Sequence, residues 1–189
     1  MSFPLPRWRL HRLHRHLLEG GLIAYPTEGV YGLGCDPWNR AAVTRLLRLK
    51  TRSPNLGLIL IASEFQQLLP FLDPLPEERM KQVLWSWPGP VTWLLPASSD
   101  CPWWIRGNHA SVAVRVTAHP IAASLCRTFA SPLVSTSANP TNSPAALTQL
   151  QVRRYFQRVR ELMIVPGPLG SHKGATPIFD ALSGRCLRA

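Results

Sequence analysis

Lysine is nearly absent from this chain. Only Lys50, Lys81 and Lys173 occur among 189 residues, and aspartate and glutamate together number ten. The 21 basic residues are therefore mostly arginine, and the formal net charge is +11. Carboxylates this sparse argue against a protein-only Mg²⁺ cage, so any magnesium is expected to ride on substrate phosphates. No apolar run approaches the roughly 18 residues that a bilayer span requires, and no membrane association is expected. The first 21 residues are basic but lack the unbroken apolar stretch and small-residue cleavage site of a secretory signal, so a cytoplasmic location is expected. The four cysteines, Cys35, Cys101, Cys126 and Cys186, are scattered without a C-x-x-C pair or a histidine at ligand spacing. They read as reduced thiols, and no metal site is expected. Also missing are a G-x-x-x-x-G-K-[ST] phosphate loop, a G-x-G-x-x-G fingerprint, a G-x-S-x-G elbow and an H-E-x-x-H helix.

What is present suffices for a full core, with 46% hydrophobic residues in a length that suits one domain over 1–189. Leu10, Leu13 and Leu17 stand at helical spacing before Gly20-Gly21. Strands are expected at Leu22 to Tyr25, Gly57 to Ala62, Val91 to Leu95, Ser111 to Val116, Leu133-Val134 and Leu162 to Val165. Helices are expected at Arg40 to Lys50, after a Ser63/Gln66 capping box, after Pro76, from His119-Pro120, and after a Thr148/Gln151 capping box. A Pro- and Trp-rich loop spans Pro96 to Asn108. This alternation predicts an α/β protein with helices layered on one mixed sheet, made mixed by antiparallel hairpins near its two ends.

Excess positive charge points to an anionic ligand, a nucleic acid or both. Arginine in particular suits forked recognition of carboxylate and phosphate. Lys50 and Arg52 close a helix, where the dipole alone favours cations, yet they also precede a buried strand at the place where sheet loops line ligand crevices. Ser135-Thr136-Ser137-Ala138-Asn139 concentrates hydroxyl and amide groups directly after Leu133-Val134, more than a turn needs. Arg115 sits inside an alternating strand and shares a face with Ala113 and Thr117. It is either an exposed edge residue or a fork for a carboxylate.

Tyr25-Pro26-Thr27-Glu28 through Gly32-Leu33-Gly34-Cys35-Asp36, Lys50-x-Arg52, Gly57-Leu58-Ile59-Leu60, Trp87 to Thr92, Ala113 to Val116 and Pro132 to Asn139 follow one another as in a known family. In this set and order the chain resembles the YrdC-like threonylcarbamoyl-AMP synthases, in their short bacterial TsaC form without an extra C-terminal domain. The resemblance covers about Gly21 to Arg188. It implies a YrdC/RibB-like twisted mixed sheet flanked by helices, with a basic concave cavity. It also implies a reaction: L-threonine, bicarbonate or CO₂, and ATP give threonylcarbamoyl-AMP and pyrophosphate. The product would serve a TsaD/TsaB/TsaE-type complex that modifies the adenosine beside the anticodon of tRNA.

By the same resemblance, Lys50 and Arg52 are the catalytic pair on the ATP phosphates, with Ser111, Asn139 and Arg188 on the nucleotide. Thr27, Arg115, Ser137 and Thr176 would hold threonine, Arg115 pairing with its carboxylate. Positioning and charge neutralisation would carry the catalysis, since Glu28 is the nearest candidate for a general base and suits a structural turn equally well. Two departures from the family pattern stand out. Leu56 takes a position that usually offers ATP a polar contact, and Thr176 replaces a serine. The alternative function is a double-stranded RNA-binding module for ribosome or tRNA maturation, suggested by the basic stretches Arg7 to Arg15 and Arg153 to Arg160.

Overall fold

Burial of the Leu13 and Leu17 stripe makes Arg7–Leu18 (α1) a helix, with Arg7, His11, Arg12 and Arg15 left exposed. Positions 5–188 are described by the computed structural model, so the first four residues of the basic N-terminal stretch lie outside the described residues. α1 packs on a second apolar helix, Pro120–Phe129 (α5), whose Ile121, Leu125 and Phe129 join Leu13, Leu17 and Ile23 in one cluster. Arg40–Lys50 (α2) faces a larger cluster with Val43, Leu46 and Leu47 and is capped by Asn39, whose side chain accepts from Ala42 N. Glu77–Trp85 (α3) and Gln149–Tyr155 (α6) complete the longer helices, the latter opened by the expected Thr148/Gln151 capping box.

Between these helices lies one nine-stranded sheet. In chain order the strands are Leu22–Pro26 (β1), Tyr31–Gly34 (β2), Ile59–Ala62 (β3), Thr92–Pro96 (β4), Ser111–Val116 (β5), Leu133–Ser137 (β6), Leu162–Ile164 (β7), Ile178–Asp180 (β8) and Cys186–Arg188 (β9). Their spatial order is β7-β1-β2-β6-β3-β5-β4-β8-β9. The β1/β2 and β8/β9 pairs are antiparallel hairpins, while β1/β7, β3/β5 and β4/β8 run parallel, giving the expected mixed sheet. β1 is buried along its whole length, which matches its unbroken apolar run.

The structure departs from the local expectations at four places. Ser63 is capped by Gln67 rather than Gln66: Gln67 Oε1 accepts from Ser63 N at 2.9 Å and from its hydroxyl at 3.1 Å. The segment it opens, Phe65–Phe71, is 3₁₀, since Pro70 offers no N–H to continue an α-helix. β3 begins at Ile59 because Gly57 takes a positive φ of 65° and Leu58 N bonds to Ile105 O. The Pro- and Trp-rich loop contains a short helix, Trp103–Arg106 (α4), anchored by buried Ile105. Finally, Ser135 to Ser137 belong to β6 itself, paired through Gly32↔Ser137 and Ile59↔Ser135, so those hydroxyls stand on the sheet and not in a loop.

Candidate active site

β6 runs between β2 and β3, and β5 between β3 and β4. Small or hydroxylated residues at Gly32, Ser135, Ser137, Ser111 and Ala113 leave space above these central strands. The result is a cavity of about 370 Å³. Its cationic wall groups are Arg52, Arg106, Arg115 and Arg188, and the remaining polar wall is mostly hydroxyl, including Thr27, Ser137 and Thr176.

Arg115 reaches the cavity from an interior strand and is only 4% exposed, which removes the edge-residue reading. Its Nη1 donates to Thr176 Oγ1 at 2.7 Å and Thr92 Oγ1 at 3.3 Å, and its Nη2 lies 3.3 Å from Glu28 Oε2. Its buried Nε has no partner among the described residues. A guanidinium so held is a fixed fork, suited to a planar carboxylate. Thr27 closes one side of the cavity, its hydroxyl donating to Val30 O at 2.7 Å.

Also on the wall, Arg52 follows the end of α2, donates Nη2 to Gly57 O at 3.0 Å and keeps a buried, unpartnered Nε among the described residues. Burial lowers its pKa, as it does that of Arg188. Arg188, on β9, donates Nη2 to Thr176 O at 2.7 Å. Ser111 lies on the wall at the start of β5. Leu56, in place of a polar residue, also lines the cavity and is 58% exposed.

Two residues expected on the nucleotide are engaged with each other at a strand end. Neither Lys50 nor Asn139 lines the cavity. The Lys50 ammonium is buried at the end of β6, where it donates to Ser137 O at 2.6 Å, Asn139 O at 2.9 Å and Asn139 Oδ1 at 3.0 Å. Asn139 Nδ2 donates onward to Ser143 O. A buried ammonium requires acceptors on all its hydrogens, and the carbonyls at the strand end supply them. In this arrangement Lys50 fixes the end of the strand that presents Ser137.

Burial, with a smaller contribution from Arg52, lowers the Lys50 pKa to about 8. The unfolded chain therefore binds more protons than the folded one between about 8 and the ordinary lysine value near 10.4, and Lys50 favours folding increasingly as pH rises through that window. Lys50→Met is expected to cost about 1–3 kcal/mol by stranding the carbonyls it serves. Its deficit against the natural protein should widen between pH 8 and 10, as thermal unfolding across that range would show.

A family model spanning Sua5, YciO and YrdC proteins, described as "Telomere recombination", matches residues 15–189. The chain belongs to the Sua5/YciO/YrdC family. It is 52% identical over 183 residues to a protein of Nitrosococcus oceani named threonylcarbamoyl-AMP synthase, covering 97% of this chain and 98% of that one. A Coxiella burnetii protein of the same name is 48% identical over 172 residues, covering 91% and 92%. Among solved structures, P. abyssi Sua5 complexed with L-threonine superposes with a TM-score of 0.87 at 32% identity, over 94% of this chain. This chain covers 52% of that one, about half its length. E. coli YciO shares the fold with a TM-score of 0.79 at 22% identity, over 100% of this chain and 98% of its own.

This Sua5/YciO/YrdC family member also has wall residues that the sequence reading left out. Arg106 and His109 come from the Trp-rich segment, Arg106 Nη1 donating to His109 O at 3.0 Å. His109 is exposed to solvent and also stands at the cavity wall. The available signal was Gly107, whose φ is 66° and where a Cβ would collide with Asn55 O. A glycine of that kind marks two loops in close approach. Thr92 does not line the cavity but accepts from Arg115, a role hidden because an interior strand threonine looks like any other until its partner is known.

Proposed function

We infer that this chain is a threonylcarbamoyl-AMP synthase, making threonylcarbamoyl-AMP and pyrophosphate from L-threonine, bicarbonate or CO₂, and ATP. The observation that carries the reading is one cavity with a buried guanidinium fork at Arg115 and further arginines, Arg52, Arg106 and Arg188, around the rest of its wall. Such a wall suits an amino-acid carboxylate beside a polyphosphate. The curated relatives of this name, matched over nearly their full length, support the same conclusion.

In the proposed mechanism the threonine carboxylate pairs with Arg115, within reach of Thr27, Ser137 and Thr176. The amine adds to CO₂ with loss of a proton, giving a carbamate. A carbamate oxygen then attacks the α-phosphorus in line, forming the P–O bond as the bond to pyrophosphate breaks. Arg52 and Arg188 neutralise phosphate charge, and Ser111 contacts the nucleotide. Lys50 and Asn139 contribute by holding the end of β6. Catalysis of this kind rests on positioning and electrostatic stabilisation. Mg²⁺ would enter on the ATP phosphates, which suits a wall of cations and hydroxyls with Glu28 held behind Arg115. The product would pass to a TsaD/TsaB/TsaE-type transferase for tRNA modification. Purified protein with Mg²⁺ should release pyrophosphate from ATP only when threonine and bicarbonate are both present, with threonylcarbamoyl-AMP detected by mass spectrometry. Equal release without threonine would refute the assignment.

An RNA contact is a compatible second reading. The two basic stretches, distant in sequence, meet at a groove of about 310 Å³ where Arg9 and Arg12 of α1 face Arg153 of α6, with Trp8 at its side. None of these arginines has an acidic partner among the described residues. A phosphodiester backbone is the matching partner, and its binding should fall steeply with salt and show little sequence preference. Replacing Arg9, Arg12 and Arg153 with glutamate should abolish retention of duplex RNA in a gel-shift titration while adenylate synthesis is preserved. A salt-insensitive complex would contradict this reading.

A further inference from the structure

Glu28 is a buried carboxylate for which the proposed reaction has no use. It is 6% exposed, does not line the cavity, and sits on the far side of Arg115. Its Oε1 accepts from the Thr117 hydroxyl and, at 3.1 Å, from Ala118 N. That leaves Oε2 buried and without a hydrogen bond among the described residues, facing Arg115 Nη2 at 3.3 Å as an ion pair. The backbone around it is equally constrained. Glu28 O accepts from His172 N at 3.1 Å, and a Cβ at Gly170 would stand 2.9 Å from Glu28 Cα.

We propose that Glu28 is a positioning residue for the guanidinium that receives the threonine carboxylate, and not a proton acceptor in the reaction. The inference rests on the functional reading above. Two properties of the pair carry it. First, a guanidinium buried to this degree is strongly disfavoured without a counter-charge, and Glu28 supplies one from the side opposite the cavity. Second, Glu28 Oε2 and Thr176 Oγ1 engage different terminal nitrogens of Arg115, which fixes the plane of the fork. Thr117 acts through Glu28, since its hydroxyl occupies Oε1 and thereby selects which carboxylate oxygen faces the arginine. Proton transfer is disfavoured by position, because a general base must come within hydrogen-bond reach of the threonine amine and Glu28 is walled off from the cavity by Arg115.

Glu28→Gln separates the possibilities. The amide oxygen still accepts from Thr117 and Ala118, but its NH₂ then faces the Arg115 NH₂ donor to donor. The expected result is a rise in threonine KM of about tenfold or more, with ATP KM changed less than about twofold and kcat reduced less than KM is raised. Glu28→Asp, which restores the charge, should recover part of the threonine affinity. Thr117→Val guards against a variant that fails to fold: it leaves the ion pair in place, frees Oε1, and should shift threonine KM in the same direction by a smaller factor. A kcat loss of about 10²–10⁴-fold with threonine KM intact would identify a general base and overturn the proposal. Equal rises in both KM values, or none, would reduce Glu28 to a structural residue and overturn it as well. The natural protein assayed in parallel distinguishes the failures. No threonine-dependent pyrophosphate from it refutes the functional reading and this inference together, whereas an active natural protein with an unaltered Glu28→Gln refutes the inference alone.

Discussion

Arg115→Lys should raise the apparent KM for threonine by about a hundredfold while leaving ATP affinity nearly unchanged. The charge survives the substitution, but the planar fork does not, and a single ammonium cannot satisfy Thr92, Thr176, Glu28 and a bound carboxylate together. Losing one charge-assisted bond of a bidentate pair costs about 1.5–3 kcal/mol, and each 1.4 kcal/mol is about tenfold in affinity. Calorimetric titration of threonine and of ATP into the same variant provides the measurement. Loss of ATP binding with threonine binding retained would show that the arginine on β5 serves the nucleotide.

Arg52→Ala should have the other large effect, lowering kcat/KM for ATP by about 10²–10³-fold, because a fixed cation beside developing phosphate charge is worth several kcal/mol in a site shielded from water. The folded state loses little by comparison. The Arg52 side chain makes one hydrogen bond, to Gly57 O, and its Nε has no partner to lose among the described residues. Were it only a cation at the end of α2, its removal would cost about 0.3–1 kcal/mol of stability and leave turnover intact. Steady-state kinetics and thermal unfolding of one preparation separate these outcomes.

The sheet and its helices were legible in the sequence because their signals are local. α2 follows from its Val43, Leu46, Leu47 stripe, and β5 follows from its alternation. Arg115 stood out for the same reason, since a charge inside an alternating strand needs an explanation. The contacts that Lys50 and Asn139 make with each other were not legible in this way. Nothing near Lys50 in sequence reveals that its acceptors lie at positions 137 and 139, so a lysine at a helix end facing a ligand and one supporting a strand end look alike until tertiary contacts form. Arg106 was missed because α4 spans only four residues, too few for a periodic pattern. The extended state of Ser135 to Ser137 was obscured by residue types that favour turns, and pairing on both sides overrode that preference.

Thr176 accepts from Arg115 at its hydroxyl oxygen and from Arg188 at its carbonyl. Under the proposed assignment a single peptide unit is thus a lever between the two substrates, touched by the amino-acid arginine on one side and the nucleotide arginine on the other. Thermodynamic reciprocity then applies: by whatever factor a bound nucleotide tightens or weakens the hold on threonine, threonine must alter the hold on nucleotide equally. A substitution at position 176 is therefore expected to alter the hold on threonine and the hold on nucleotide together.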